Sequence, residues 1–178
     1  MTLNNSLRGI SCAYPSLTPE SSNDAFPMLA TLTFQEGVLA GDSKTKGFEN
    51  KFEILAYDFS LSRSTDSKGS TLHTMSNNGI RLIFPVNTTA KVSFFQALVL
   101  KTMVKKVQLQ IVDMSKQTPT EQFEIDIQNA LVVDCSFDSQ FYLGAAFAVT
   151  LIGDTITLDD KISKKSTAYD TTTSVLAS

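Results

Sequence analysis

The sequence predicts a mainly β domain, a two-sheet barrel or sandwich of about seven or more antiparallel strands with one α-helix. Three observations lead there. Short segments alternate apolar with polar residues; Ser and Thr are abundant, twenty of each, while Trp is absent; and only one stretch carries a helical period. A chain of 178 residues with 42% hydrophobic and 19% charged residues has the composition of one ordinary domain. At this length roughly 70% of the unfolded chain's surface can be buried, so neither disulfides nor metals are needed for folding.

The first residues, 1–24, are rich in Asn, Ser and Pro, have no sustained period and read as an N-terminal arm. The domain proper is expected over 25–158. Met28 to Phe34 alternates Ala30, Leu32 and Phe34 with Thr31 and Thr33, a half-buried strand. After a connection punctuated by Gly37, Gly41, Asp42, Ser43 and Gly47, a longer strand runs from Phe52 to Arg63. Its apolar residues move from even positions (Phe52, Ile54) to odd ones (Leu55, Tyr57, Phe59, Leu61), which predicts a bend near Ile54 and Leu55. Ser64 to Gly79 is almost wholly polar except for Leu72 and Met75 and is expected to be a long loop. Ile80 to Phe84 then alternates around Arg81 and ends at Pro85.

Val92, Phe95, Leu98, Val99, Thr102 and Met103 form a single helical stripe, expected to plug the barrel, with Thr88 or Thr89 as N-cap and Lys101, Lys105 and Lys106 near the C-terminal end. Val107, Leu109 and Ile111 alternate with Gln108 and Gln110 as the next strand. From Phe123 to Phe137 the odd positions are apolar except at Asn129, so two strands or one bent strand is expected, broken at Asn129 and Ala130. Phe141 to Ile152 is a further strand, Thr155 to Leu158 a short one, and 159–178 reads as a polar C-terminal tail.

The chemistry of catalysis is sparse. His73 is the one imidazole, set in a hydroxyl-rich segment near Asp66, where an exposed loop histidine is the plainer reading than a triad base. Asp58, Asp66, Asp113, Asp126, Asp134 and Asp138 do not gather with His or Cys at ligand spacing, and Asp159–Asp160 reads as a solvated turn. No phosphate-cradling glycine motif is present, so no cofactor is expected. A net charge of -3 argues against nucleic-acid binding, and Lys105–Lys106 is a pair and not a patch. The apolar runs are far shorter than the roughly 20 residues of a membrane-spanning helix, and Met1 to Pro15 lacks the apolar block of a secretory leader, so export, if it occurs, is expected by another route. Cys12 and Cys135 make no disulfide framework; Cys135 falls on an apolar strand face and Cys12 has no assigned role. A patterned domain without a reactive site works through its surfaces, and unpaired sheet edges favour self-association.

The order of elements carries a resemblance: Tyr57-Asp58-Phe59-Ser60-Leu61-Ser62-Arg63, a polar stretch with Thr65-Asp66-Ser67-Lys68-Gly69, Ile80 to Phe84, Ser93-Phe94-Phe95-Gln96-Ala97-Leu98-Val99, and the Lys105 to Ile111 strand. From about Ala25 to Leu158 the chain resembles the haemolysin-coregulated protein (Hcp) family, the inner-tube subunits of type VI secretion systems, particularly its Bacteroidetes-type form. The resemblance implies a two-sheet barrel flanked by one helix, hexameric rings stacked into a tube, a surrounding contractile sheath, spike and baseplate partners, and effectors carried in the bore. Phage tail tubes and extracellular contractile injection systems use related subunits.

The sequence thus points to a non-enzymatic tube protein assembled in the cytoplasm and exported without a leader peptide, with a tail-tube protein of a phage or extracellular particle as the related alternative. A monomeric β-sandwich that binds a small ligand or glycan is the alternative of another class. By the resemblance, Ser64, Asp66, Lys68, Leu72, Met75 and Asn77 belong to a subunit- or ring-contact loop; as a long polar loop it is expected to order on assembly, and Lys91 and Lys101 on the helix's outer face are read, secondarily, as sheath-facing. Thr31, Thr33, Gln108, Gln110, Glu124, Asp126 and Gln128 form solvent-facing rows suited to a hydrophilic bore.

Overall fold

The computed structural model describes residues 26–45, 47–65, 71–115, 118–138, 145–171 and 175–177. Eleven strands and one helix occur among them: β1 (Met28–Phe34), β2 (Gly37–Leu39), β3 (Phe52–Ile54), β4 (Ala56–Thr65), β5 (Thr71–Pro85), α1 (Ala90–Leu100), β6 (Met103–Asp113), β7 (Thr120–Asp138), β8 (Ala146–Ile152), β9 (Thr155–Asp160), β10 (Lys165–Asp170) and β11 (Val175–Ala177). Every strand pairing is antiparallel. The pairings run from β1 to β6, β7, β8, β5 and β4, and β3, which precedes β4 in the chain, returns to β1. This circuit brings the sheet round on itself as a barrel, with the β3–β4 junction bridged by the chain itself, since β3 pairs only with β1 and β4 only with β5. On the outer edge of β7, β9 carries β10 and β11.

Two corners make the closure possible. At Leu55 the chain leaves β1, where Ile54 pairs with Met28, and joins β5, where Ala56 pairs with Ile83. The Leu55 N–H donates to the Ile83 carbonyl at 2.7 Å, so the bend keeps its backbone bond. The expected change of face is therefore a full transfer between sheets. The second corner is at Asn129, which has φ 49°, on the long strand β7. Before it, β7 pairs with β9, and after it with β8. Gly153 lies opposite, where a Cβ would stand 2.2 Å from Ile127 Cγ2, so only glycine lets the two backbones approach.

The Asn129 corner also reverses the alternation. Ile125 and Ile127 face the core before it, and Ala130 and Val132 after it. Leu131 and Val133, expected on the inner face by the odd-numbered row, are instead exposed, because a left-handed residue shifts the pleat by one. A second register shift, between Val132 and Asp134, restores the phase, and Cys135 packs half-buried against the core. Burial, with the Asp134 charge nearby, pushes its thiol up to about 11, so it is protonated at neutral pH.

One core fills the barrel, with Leu32, Phe52, Ile127 and Ile156 from one layer meeting Ile80, Leu82, Phe84 and Leu151 from the other. Helix α1 plugs one end. Phe94 is fully buried, with ring centroids 5.5 Å from Phe34, 5.7 Å from Phe84 and 6.3 Å from Phe147. The inward face is Ala90, Phe94 and Ala97, with Phe95 and Leu98 half-buried, whereas Val92 and Val99 are exposed. The expected stripe thus holds at Phe95 and Leu98, which pack against the core, and fails at Val92, Val99 and Met103, while the fully buried Phe94 lies beside it. The helix is apolar nearly all round, so periodicity could not choose, and the barrel mouth takes two alanines beside one large ring. Met103 belongs to β6, because Lys101 turns left-handed at φ 54° and donates its N–H to the Ala97 carbonyl, ending the helix. Lys105 and Lys106 follow it onto β6. At the other terminus Thr88 Oγ1 accepts the Ala90 N–H at 3.4 Å and Asp42 Oδ2 accepts that of Thr89 at 3.1 Å; Thr89 supplies no side-chain cap.

Two further expectations are corrected. Ser64 to Gly79 is largely strand: Ser64 and Thr65 end β4 and Thr71 to Gly79 lie on β5, paired Leu61–Asn77, Ser62–Ser76, Arg63–Met75 and Thr65–Thr71, while 66–70 lie outside the described residues. A two-stranded ribbon held by its backbone ladder needs no apolar row, so the signal that reveals core strands is missing there. The stretch 159–178, expected as a polar tail, instead completes β9 and supplies β10 and β11. Tyr169 is buried, and Thr171 Oγ1 donates to the Gly153 and Asp154 carbonyls. Single polar faces conceal such edge strands. The arm 1–24 lies outside the described residues.

Phe94→Ala is expected to cost about 3–5 kcal/mol, because neighbours held by barrel hydrogen bonds cannot collapse into the cavity. Urea denaturation checks this, and a loss near 1 kcal/mol would show that α1 is not the plug.

Candidate functional site

The face of β1, β6, β7 and β9 turned away from the core carries the polar rows. Strand register sets Thr31, Gln108, Asp126 and Thr157 side by side, and likewise Thr33, Lys106, Gln128 and Thr155. All seven residues read as solvent-facing rows, Thr31, Thr33, Gln108, Gln110, Glu124, Asp126 and Gln128, come together on this face. Three side chains join them that strand alternation does not reveal: Lys51 from the segment before β3, Glu121 beyond the register shift at Ile111 and Val112, and Lys161 from the β9–β10 turn.

These groups bind one another, several of them diagonally across β6 and β7. Lys106 Nζ lies 2.9 Å from Asp126 Oδ2, and Gln108 Nε2 donates to Glu124 Oε1 at 3.0 Å. Lys51 Nζ donates to Gln110 Oε1, and Gln110 Nε2 donates to Glu121 Oε1. Lys161 Nζ stands 2.9 Å from Asp159 Oδ2 and 3.4 Å from Glu124 Oε2. Charges and amides thus alternate, and the surface is polar without being dominated by either sign.

Glu121 and Glu124 share a hydrogen bond and titrate apart. Burial and then the bond to Glu124 push Glu121 up. For Glu124, burial is outweighed by hydrogen bonds from Glu121, Gln108 and Lys161, which hold it down. Burial also raises Asp126, against the pull of Lys106, and its Oδ1 is buried with no hydrogen-bond partner among the described residues. Burial lowers Lys51 despite Glu121 and Glu124.

The expected contact-loop residues distribute along the β4–β5 hairpin: Ser64 on β4, and Leu72, Met75 and Asn77 on β5, with His73 beside them; Asp66 and Lys68 lie outside the described residues. β5 pairs with β8 only from Ile80 onward, so its earlier half extends past the barrel with β4 as its partner. Lys91 is half-buried with Nζ donating to the Val86 carbonyl at 3.1 Å, and Lys101 is exposed at the helix C-cap. No group of three or more His, Cys, Asp or Glu suited to a metal ion occurs among the described residues. No helix there is long and apolar enough to cross a membrane.

Since the folded protein favours protonated Glu121, holding it ionised costs stability as pH rises above its ordinary value of 4.5. Glu121→Gln removes that cost while keeping an acceptor for Gln110. Its melting temperature should exceed the parent's at pH 8 and the difference should close below pH 4.5; a pH-independent difference would contradict the assignment.

The family described as "Type VI secretion system effector, Hcp" matches residues 31–164. A sequence comparison with curated proteins finds no match. Among solved structures, Hcp1 of the Escherichia coli EAEC 042 pathovar is similar with a TM-score of 0.72 at 16% identity, covering 82% of this chain and 99% of its own. Hcp1 of Salmonella typhimurium gives 0.67 at 13%, covering 86% and 100%, and Hcp1 of Flavobacterium johnsoniae 0.55 at 11%, covering 80% and 98%. The structural likenesses share the fold, and the family match spans most of the sequence. The chain belongs to the Hcp family of type VI secretion proteins.

Proposed function

We propose that the chain is the structural subunit of a type VI inner tube: six copies close into a ring, rings stack head to tail, and the tube carries effectors until sheath contraction expels it. The observation that carries this is the β4–β5 hairpin extending beyond the barrel at the end opposite α1. A two-stranded ribbon is marginal in water by itself. An end that projects and an end that is plugged are different surfaces, and a heterologous contact between them propagates along an axis.

Within this reading Ser64, Asp66, Lys68, Leu72, Met75 and Asn77 lie in the segment that meets the neighbouring ring. The polar face of β1, β6, β7 and β9 lines the bore, where paired charges and amides keep the wall wetted. Lys91 and Lys101, at the two ends of α1, face the sheath. Spike and baseplate proteins are the partners at the tube's tip, and the subunit is assembled in the cytoplasm before export.

Negative-stain microscopy of the purified protein is expected to show six-fold annuli and stacks of them; lone small particles at high concentration would refute the reading. Hydrogen exchange over Ser64 to Gly79 should be at least tenfold slower in tubes than in free subunits, and equal exchange would remove the hairpin from the contact.

A further inference from the structure

The outer surface of α1 is apolar, unlike that of most surface helices. Val92 is 58% exposed, Val99 75% and Leu100 68%. Half-buried Phe95 stacks on exposed Phe137 with centroids 5.8 Å apart, which continues the patch onto β7. Water-facing apolar patches of this kind mark binding surfaces.

The chain outside the described residues supplies an occupant. Residues 1–25 precede β1, whose first residue, Met28, pairs with Ile54 and Ile111. The last residue, Phe34, packs on Phe94 of α1, so β1 begins at the barrel end opposite the apolar helix face. To reach its own helix it would have to run back along a seven-residue strand, about 20 Å. In a head-to-tail stack, the end from which the arm departs abuts the next copy's helix end. An arm of 25 residues extends at most about 80 Å, ample for that junction. It carries Leu3, Leu7, Ile10, Tyr14 and Leu17 dispersed among Asn and Ser, apolar side chains that match the patch. The family match begins at residue 31, so the arm lies outside the stretch matched to the family.

We infer that residues 1–24 of one copy dock their apolar side chains on the Val92, Phe95, Val99 and Leu100 face of α1 in the adjacent copy, strapping ring to ring. This rests on the stacked-tube reading above.

The native Cys12 is a reporter within the arm. In full-length protein with Cys135→Ala, Val99→Cys is treated with a bismaleimide after assembly, and denaturing electrophoresis separates the products while microscopy follows the same sample. The expected result is a ladder of interchain crosslinks forming at least tenfold faster than with Ile162→Cys, an equally exposed control on the β9–β10 turn. Crosslinks within single chains would assign the arm to its own helix and overturn the inference. A ladder that survives Cys12→Ser would assign the patch to a second copy's folded surface, with the same consequence. Tubes without crosslinking above the control rate would overturn the strap and leave the tube reading intact, whereas lone protomers would overturn both.

Discussion

Hydrogen bonding around a closed strand circuit is the constraint on which the molecule depends. Closing a sheet satisfies the backbone along its edges, but only if the chain can turn the two corners that join the layers. Leu55 turns one while donating to Ile83, and Asn129 with Gly153 turns the other. Everything else follows from these corners: which alternation faces inward, which end is left for the helix, and where the surplus strand length must go. The core phenylalanines are arranged around that geometry, with Phe94 entering the mouth that the closed strands leave.

Closure also sorts the surfaces. With the interior apolar, the opposite face of β1, β6, β7 and β9 is free to be polar, and its groups satisfy one another across neighbouring strands. Surface ion pairs of this kind contribute little to stability. Their consequence is a sheet face whose charges are already matched. The hairpin is the complementary case: Thr71 to Gly79 of β5 continue past its pairing with β8, with β4 as their ladder partner.

The element order and the fold class were legible in the sequence because core strands with one wet face alternate, as Ala30, Leu32 and Phe34 do against Thr31 and Thr33. The polar rows were legible for the same reason. Where alternation carries no information, legibility ended. Ser64 to Gly79 read as a loop because a ribbon without an apolar row resembles one, and β10 read as a tail because its one buried anchor, Tyr169, sits among polar neighbours. Lys51, Glu121 and Lys161 reach the polar face from outside the alternating rows, so spacing could not place them there.

By itself the sequence determined that this chain is a β-rich domain with one helix and that its strands have one wet and one dry face, since both depend on local period and residue type. Only the tertiary structure decided which face of an almost uniformly apolar helix turns inward, where β7 reverses its pleat, and how far the β4–β5 hairpin outruns the barrel. Those outcomes are set by contacts between segments distant in the chain. Phe94 is chosen over Val92 and Val99 by the shape of the barrel mouth, a property that no eleven-residue window contains.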